Sequence, residues 1–183
     1  NTTSNTLKGY QYITSNTWAS GGNLNNVNPG AYLSYTFGFG TQDAAVNAGG
    51  YYPETNQAQK YNGTSWTTTT NLPENNREGA VGGMGTQTAG LIAGGYNPSS
   101  GSKSTSLKFD GSTWTSGGSI NTARYWSGAA GLQTSGLIFG GGTPGGYTDT
   151  TESYNGTSWT TLPATTTVSQ YGSGAGTQTA DRK

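Results

Sequence analysis

"YNGTSW" fills residues 61–66 and returns letter for letter at 154–159, with the near copy "FDGSTW" between them at 109–114. Asn-Gly or Asp-Gly between β-favouring residues is the strongest short hairpin signal, because both positions tolerate positive φ. Each copy therefore reads as a hairpin with an aromatic before the turn and a Trp after it. The chain writes this hairpin three times at nearly even spacing, so a repeated unit is the first thing to test.

The repeat holds on three markers. Trp18, Trp66, Trp114 and Trp159 are spaced by 48, 48 and 45 residues. Out of phase with them, "GTQ" or "GLQ" begins at Gly40, Gly85, Gly131 and Gly176, at steps of 45, 46 and 45. A double glycine stands at Gly49–Gly50, Gly94–Gly95 and Gly140–Gly141, spaced by 45 and 46.

Each unit reads as four short strands. In the third copy, "YWSGAAGLQ" (125–133) is a strand of small residues and "SGLIFGG" (135–141) the most apolar one. "TESY" (151–154) and "SWTTL" (158–162) form the outer hairpin across Asn-Gly. Thr, Tyr, Val and Ile favour the pleated surface. No stretch carries a 3.6-residue period, so essentially no helix is expected. An aromatic buries on the order of 150–250 Å², so one aromatic–Trp pair per unit can stand in for the scarce aliphatics.

An apolar strand, a double glycine, then an aromatic and a Trp, repeated every 45–48 residues, resembles the Kelch repeat of β-propellers. The matching residues are Gly49, Gly50, Tyr61 and Trp66, then Gly94, Gly95, Phe109 and Trp114, then Gly140, Gly141, Tyr154 and Trp159. Arg77 and Arg124 also sit where Kelch units often carry Arg. The aromatic-to-Trp gap is shorter than is usual there, which implies a tighter outer hairpin. The phrasing "NGTSWTT", "NTAR", "GTQTAGLIAGGY" resembles, more narrowly, the Kelch-like repeats in structural proteins of tailed bacteriophages, marine ones especially.

The resemblance implies an all-β fold: a Kelch-like β-propeller of four-stranded antiparallel blades over residues 1–183. Three blades are expected at about 31–70, 77–117 and 124–163. A fourth is shared between the termini, 1–20 with 168–183, because "SNTLKGYQYITSNTW" resembles "STSLKFDGSTW" and the end of the chain supplies an inner strand. The expected apolar strand after Gly176 is replaced by Asp181–Lys183, so a piece of a larger ring, or a ring completed by several chains, stays open as an alternative. The sequence opens on Asn1 rather than Met, so an upstream part is expected to have been removed or to lie outside it.

Composition excludes several functions. Lys plus Arg number 8 and Asp plus Glu number 8, a net charge of zero, with no basic patch to displace counterions from phosphates. No nucleic-acid partner is expected. Cys and His are both absent, which removes disulfides, thiolate zinc sites, Cys nucleophiles and Ser-His-Asp machinery. Some Kelch-like propellers are copper oxidases, and that chemistry needs His and Cys ligands. No apolar run reaches the roughly 20 residues of a membrane helix, and no signal peptide is visible. No metal or cofactor is expected, and no enzyme activity.

Binding is expected on one face. Loops between strands one and two, and three and four, are minimal. The other connections are long and varied, and variable loops on a rigid scaffold are where binding usually resides. Its aromatic candidates are Tyr51, Tyr52, Tyr96 and Tyr147, with Asn25, Asn26, Asn75, Asn76, Arg77 and Arg124 as polar partners. Tyr beside Asn suits sugars, offering a stacking plane and paired hydrogen bonds. Glu74 with Glu78, and Asp149 with Glu152, are the carboxylate pairs to weigh for glycoside hydrolysis; all four read as solvated. Trp126 breaks the repeat and is left unassigned. The expected role is that of a virion-surface, tail or fibre protein, extracellular, whose partners are other virion proteins or host surface glycans, oligomeric through its parent assembly. An intracellular Kelch-type protein-interaction scaffold is the alternative.

Overall fold

A computed structural model describes residues 21–25, 34–51, 55–77 and 83–178. Trp18, Asn26, Tyr52, Glu78 and, of the terminal segments expected to share a blade, residues 1–20 and 179–183 lie outside the described residues. The fold is all-β, with no helix among the described residues.

Three four-stranded antiparallel sheets follow one another along the chain. The first joins β1 (Phe37–Thr41), β2 (Ala44–Ala48), β3 (Ala58–Tyr61) and β4 (Trp66–Thr68) in chain order. The second starts with β5 (Met84–Thr86) and β6 (Ala89–Ala93) and, after a small hairpin of β7 (Tyr96–Asn97) and β8 (Gly101–Ser102), adds β9 (Thr105–Phe109) and β10 (Trp114–Ser119). The third repeats the plan with β11 (Gly128–Leu132) and β12 (Ser135–Phe139), the small hairpin β13 (Gly142–Thr143) and β14 (Gly146–Tyr147), then β15 (Thr151–Tyr154) and β16 (Trp159–Leu162). The first strands adjoin in sequence, with β5 between β1 and β11. Two of the expected long loops thus contain two-residue hairpins. In the first, Asn97 accepts the Ser99 amide through its side chain, a local turn that competes well with open loop.

The outer hairpins stack their aromatics as expected. Ring centroids lie 5.0 Å apart in Tyr61–Trp66, 4.6 Å in Phe109–Trp114 and 4.9 Å in Tyr154–Trp159. The turn chemistry differs from the expectation of two residues at positive φ. Only the glycines take it: Gly63, Gly111 and Gly156. Asn62, Asp110 and Asn155 instead use their side-chain oxygens, each accepting two backbone amides just ahead.

In the acidic copy those bonds hold the Asp110 carboxyl below the usual aspartate range, the Thr113 amide contributing most. A depressed folded-state pKa gives stabilisation that is present above the unfolded value and lost as pH falls through the folded one. Asp110→Asn, which keeps the acceptor as Asn62 does, is expected to flatten the acid limb of the melting temperature–pH curve. Thermal melts from neutral to acid pH check it; an unchanged acid limb would sink the idea.

Two cores sit between the sheets. Phe37, Phe39, Val46 and Leu72 pack against Ile92, Phe109 and Trp114 between the first and second. Met84, Leu91 and Ile120 pack against Ile138, Tyr154 and Trp159 between the second and third. A sheet of Thr, Ser and Gly has one usable apolar face at a time, so each core is completed by the next unit. Two of the three outer indoles also reach back by hydrogen bond: Trp114 donates to the Thr70 carbonyl at 2.9 Å and Trp159 to the Ser106 hydroxyl at 3.1 Å.

The repeated phrases prove to be inter-unit joints. Gln87 donates its side-chain amide to the carbonyls of Ala45 and Tyr61, and Gln133 to those of Gly90 and Phe109. Gln178 reaches Gly136 in the same way. The double glycines take positive φ at both residues, which suits glycine, and a Cβ on the first of each pair (Gly49, Gly94, Gly140) would collide with the next unit's entry segment at Asn76, Arg124 or Ser169. Gly50, Gly95 and Gly141 donate their amides to the carbonyls of Asn76, Arg124 and Ser169. This aligns Asn76, not Arg77, with Arg124. Residues 169–178 repeat the entry contacts of a unit against the third sheet without forming a ladder strand.

Candidate binding face

The entry segment of each unit pairs with the residue that follows its double glycine. Ser34 pairs with Tyr51, Arg77 with Tyr96 and Tyr125 with Gly142. These pairings gather side chains at the end where β2, β6 and β12 finish. The rings form a continuous ribbon. Tyr35 lies 6.5 Å from Tyr51, and the Arg77 guanidinium sits 4.0 Å over Tyr51 and 5.3 Å from Tyr96. Tyr96 meets Tyr125 at 5.5 Å, Tyr125 meets Trp126 at 4.6 Å, and Trp126 meets Tyr171 at 4.5 Å. The ribbon crosses all three sheets and ends on the segment after the third. A cation over an aromatic face is attracted by the ring quadrupole, so Arg77 joins two tyrosines that would otherwise sit apart.

Gly50, Asn75, Asn76, Arg77, Tyr96 and Pro98 line an open, shallow depression in this ribbon that encloses no cavity. Pockets that engulf a small ligand hold roughly 300–1,000 Å³, so a ligand here lies along the surface.

Of the expected site residues, Tyr51, Asn75, Arg77 and Tyr96 come together. Tyr147 stands more than half exposed on β14, with its backbone paired to Gly142, and joins no ring contact of the ribbon. Asn25 lies elsewhere: its side chain donates to the Trp66 carbonyl, and its backbone exchanges hydrogen bonds with the Gln59 amide, on the outer hairpin. Two residues are corrected. Asn76 is buried and donates to the Gly94 carbonyl, serving the joint between units. Arg124 is wholly buried, bonded to the carbonyls of Thr122, Gly140 and Thr150 and ion-paired with Glu152. A guanidinium drawn into a joint by four acceptors is out of a ligand's reach. Burial pulls its pKa down, and the Glu152 carboxylate pushes it back up.

One carboxylate is also corrected. Glu152 is fully buried rather than solvated, and accepts the amides of Asn121 and Thr122 besides Arg124. Glu74 pairs with Lys103 at 2.5 Å. Among the described residues no group of three His, Cys, Asp or Glu could hold a metal ion, and no helix is long and apolar enough to cross a membrane.

Tyr35, Tyr125, Trp126 and Tyr171 were missed as site residues. For three of them a signal was present. Tyr35, Trp126 and Tyr171 each stand five residues ahead of the glycine in "GTQ" or "GLQ", at Gly40, Gly131 and Gly176. No protein-family model matches the sequence, and no curated protein matches it.

Proposed function

We propose that this chain is a non-enzymatic binding module, built as a Kelch-like propeller and carried on an extracellular particle of the tailed-phage kind, whose long-loop face attaches to surface glycans. The observation that carries this reading is the ribbon of partly exposed rings and one guanidinium that runs unbroken across three units. Sugar rings present flat C–H faces edged by hydroxyls, and such a ribbon offers stacking planes with Asn75 and backbone groups at its margin. The propeller part draws support from three stacked four-stranded sheets whose first strands adjoin in order. Residues 169–178, which repeat the entry contacts of a fourth unit, support four blades with one shared between the termini.

Tyr, Trp and Arg are also the residues enriched at protein interfaces, which favours a Kelch-type protein scaffold as the second reading. The test is binding of the purified chain to a panel of bacterial surface polysaccharides at low and high salt. Saturable binding that survives high salt and is lost in Tyr51→Ala and Tyr96→Ala is expected. Silence across the panel, with stoichiometric capture of a protein partner instead, would select the scaffold.

A further inference from the structure

The three outer turns share one device and differ in how tightly they are held. In the first, the amides of Thr64 and Ser65 donate to the Asn62 side-chain oxygen at 3.0 and 2.9 Å. In the third, Thr157 and Ser158 do the same for Asn155, both at 2.9 Å. Two N–H donors aimed at one oxygen stabilise negative charge that develops on it. The second turn shows this with a full charge: its amides hold the Asp110 carboxyl below the usual aspartate range.

A glycine follows each of these residues, at φ 89° for Gly63, 97° for Gly111 and 94° for Gly156. With no Cβ, it leaves its own nitrogen unshielded. Two of the three glycines are tied down. The Gly111 carbonyl accepts the Lys60 ammonium at 2.9 Å, and the Gly156 carbonyl accepts the hydroxyl of the buried Tyr154 at 2.9 Å. Among the described residues no side chain holds the Gly63 carbonyl. Asn62 and Gly63 are both exposed, and Trp66 beside them is only half-buried, whereas Trp159 in the third unit is buried.

We propose that Asn62 is a site of spontaneous deamidation through a succinimide, which converts the first outer turn to the acidic form that the second unit already carries at Asp110. The Gly63 nitrogen, its proton lost to hydroxide, attacks the Asn62 Cγ and forms a C–N bond. The carbonyl electron pair moves onto Oδ1, between the Thr64 and Ser65 amides. As that oxyanion collapses, Nδ2 leaves with its bonding pair, takes a proton from water and departs as ammonia. Water then opens the imide at either carbonyl, giving aspartate or isoaspartate. The aspartate fits the turn, as Asp110 does. The isoaspartate adds an atom to the backbone between Tyr61 and Trp66 and shifts their pairing. Asn155 carries the same sequence and the same cradle, but its tethered glycine resists the rearrangement that ring closure requires.

The test is incubation of the full chain in mildly alkaline buffer made with heavy-oxygen water, followed by peptide mapping in a mass spectrometer. Asn62 is expected to convert first, to a mixture of aspartate and isoaspartate that carries the solvent oxygen. Asn155 should lag by roughly fivefold, the worth of one hydrogen bond. Tyr154→Phe, which removes only the hydroxyl tether, should bring Asn155 up to the rate of Asn62. The parent chain compared with itself in guanidinium chloride needs no variant: unfolding should speed Asn155 and leave Asn62 little changed. Three results would each overturn the proposal: an Asn62 that stays an amide in the folded chain while the unfolded chain converts, equal rates at the two sites in the folded parent, or a product at Asn62 with no isoaspartate.

Discussion

Arg124→Met should unfold at markedly lower urea, with a loss of about 3–5 kcal/mol, the cost of stranding one member of a buried ion pair. Glu152 would keep the Asn121 and Thr122 amides but lose its guanidinium, while fully excluded from water. The carbonyls of Thr122, Gly140 and Thr150 would lose their donor as well. The loss corresponds to a drop in melting temperature on the order of ten degrees for a chain of this size. The double variant Arg124→Met with Glu152→Leu should recover most of it, because an apolar pair of similar volume often replaces a buried ion pair at no cost. The second sheet supplies the precedent: the equivalent position on β9, two residues before the hairpin aromatic, is Leu107, and it packs against the core. Urea titrations followed by Trp fluorescence measure both. A single variant as stable as the parent would show that Arg124 does not hold the joint.

Gly90→Ala is the second large effect. Gly90 lies on β6 beside the Phe39 ring, and a Cβ there would collide with the ring. The φ of Gly90 is not in the left-handed region, so the cost is steric rather than conformational. Phe39 has nowhere to go: it meets Phe109 edge-on at 6.4 Å and Trp114 at 6.2 Å, and Gly83 lies under its other edge. Overpacking a core in this way costs about 1–3 kcal/mol, and the upper end is expected because the obstacle is a rigid ring. Phe39→Leu in the same chain should return part of the loss. Additive effects in the double-mutant cycle would mean that the two residues do not meet.

The readable parts of this protein are those whose cause is local or strictly repeated. "YNGTSW" identified the outer hairpin because Asn-Gly acts over four residues, although the Asn works through its side chain rather than its backbone. The double glycines announced themselves because nothing else fits where an entry segment crosses. Tyr51, Tyr96 and Arg77 do meet, as three residues that flank repeat markers can. Arg124 was misread because its environment comes from residues 16–28 positions onward, and an Arg before a strand looks the same in a loop or in a joint. Asn25 was misread for the same reason, its partners Gln59 and Trp66 lying 34 and 41 residues away. The glutamine of "GTQ" was visible as a marker, but its task of bonding two carbonyls of the preceding sheet was not.

By itself, then, the order of residues determined an all-β chain of repeated four-stranded units, since hairpin turns, β-favouring side chains and a period of 45–48 act at short range. Only the tertiary structure decided which polar residues serve the joints and which reach solvent. Burial is a property of stacked sheets: Arg77 lies over two tyrosines at the surface and Arg124 sits at zero exposure because neighbouring units meet there differently. The ribbon that joins Tyr35 to Tyr171 exists for the same reason, as rings far apart in sequence are brought edge to edge by the turn from one unit to the next.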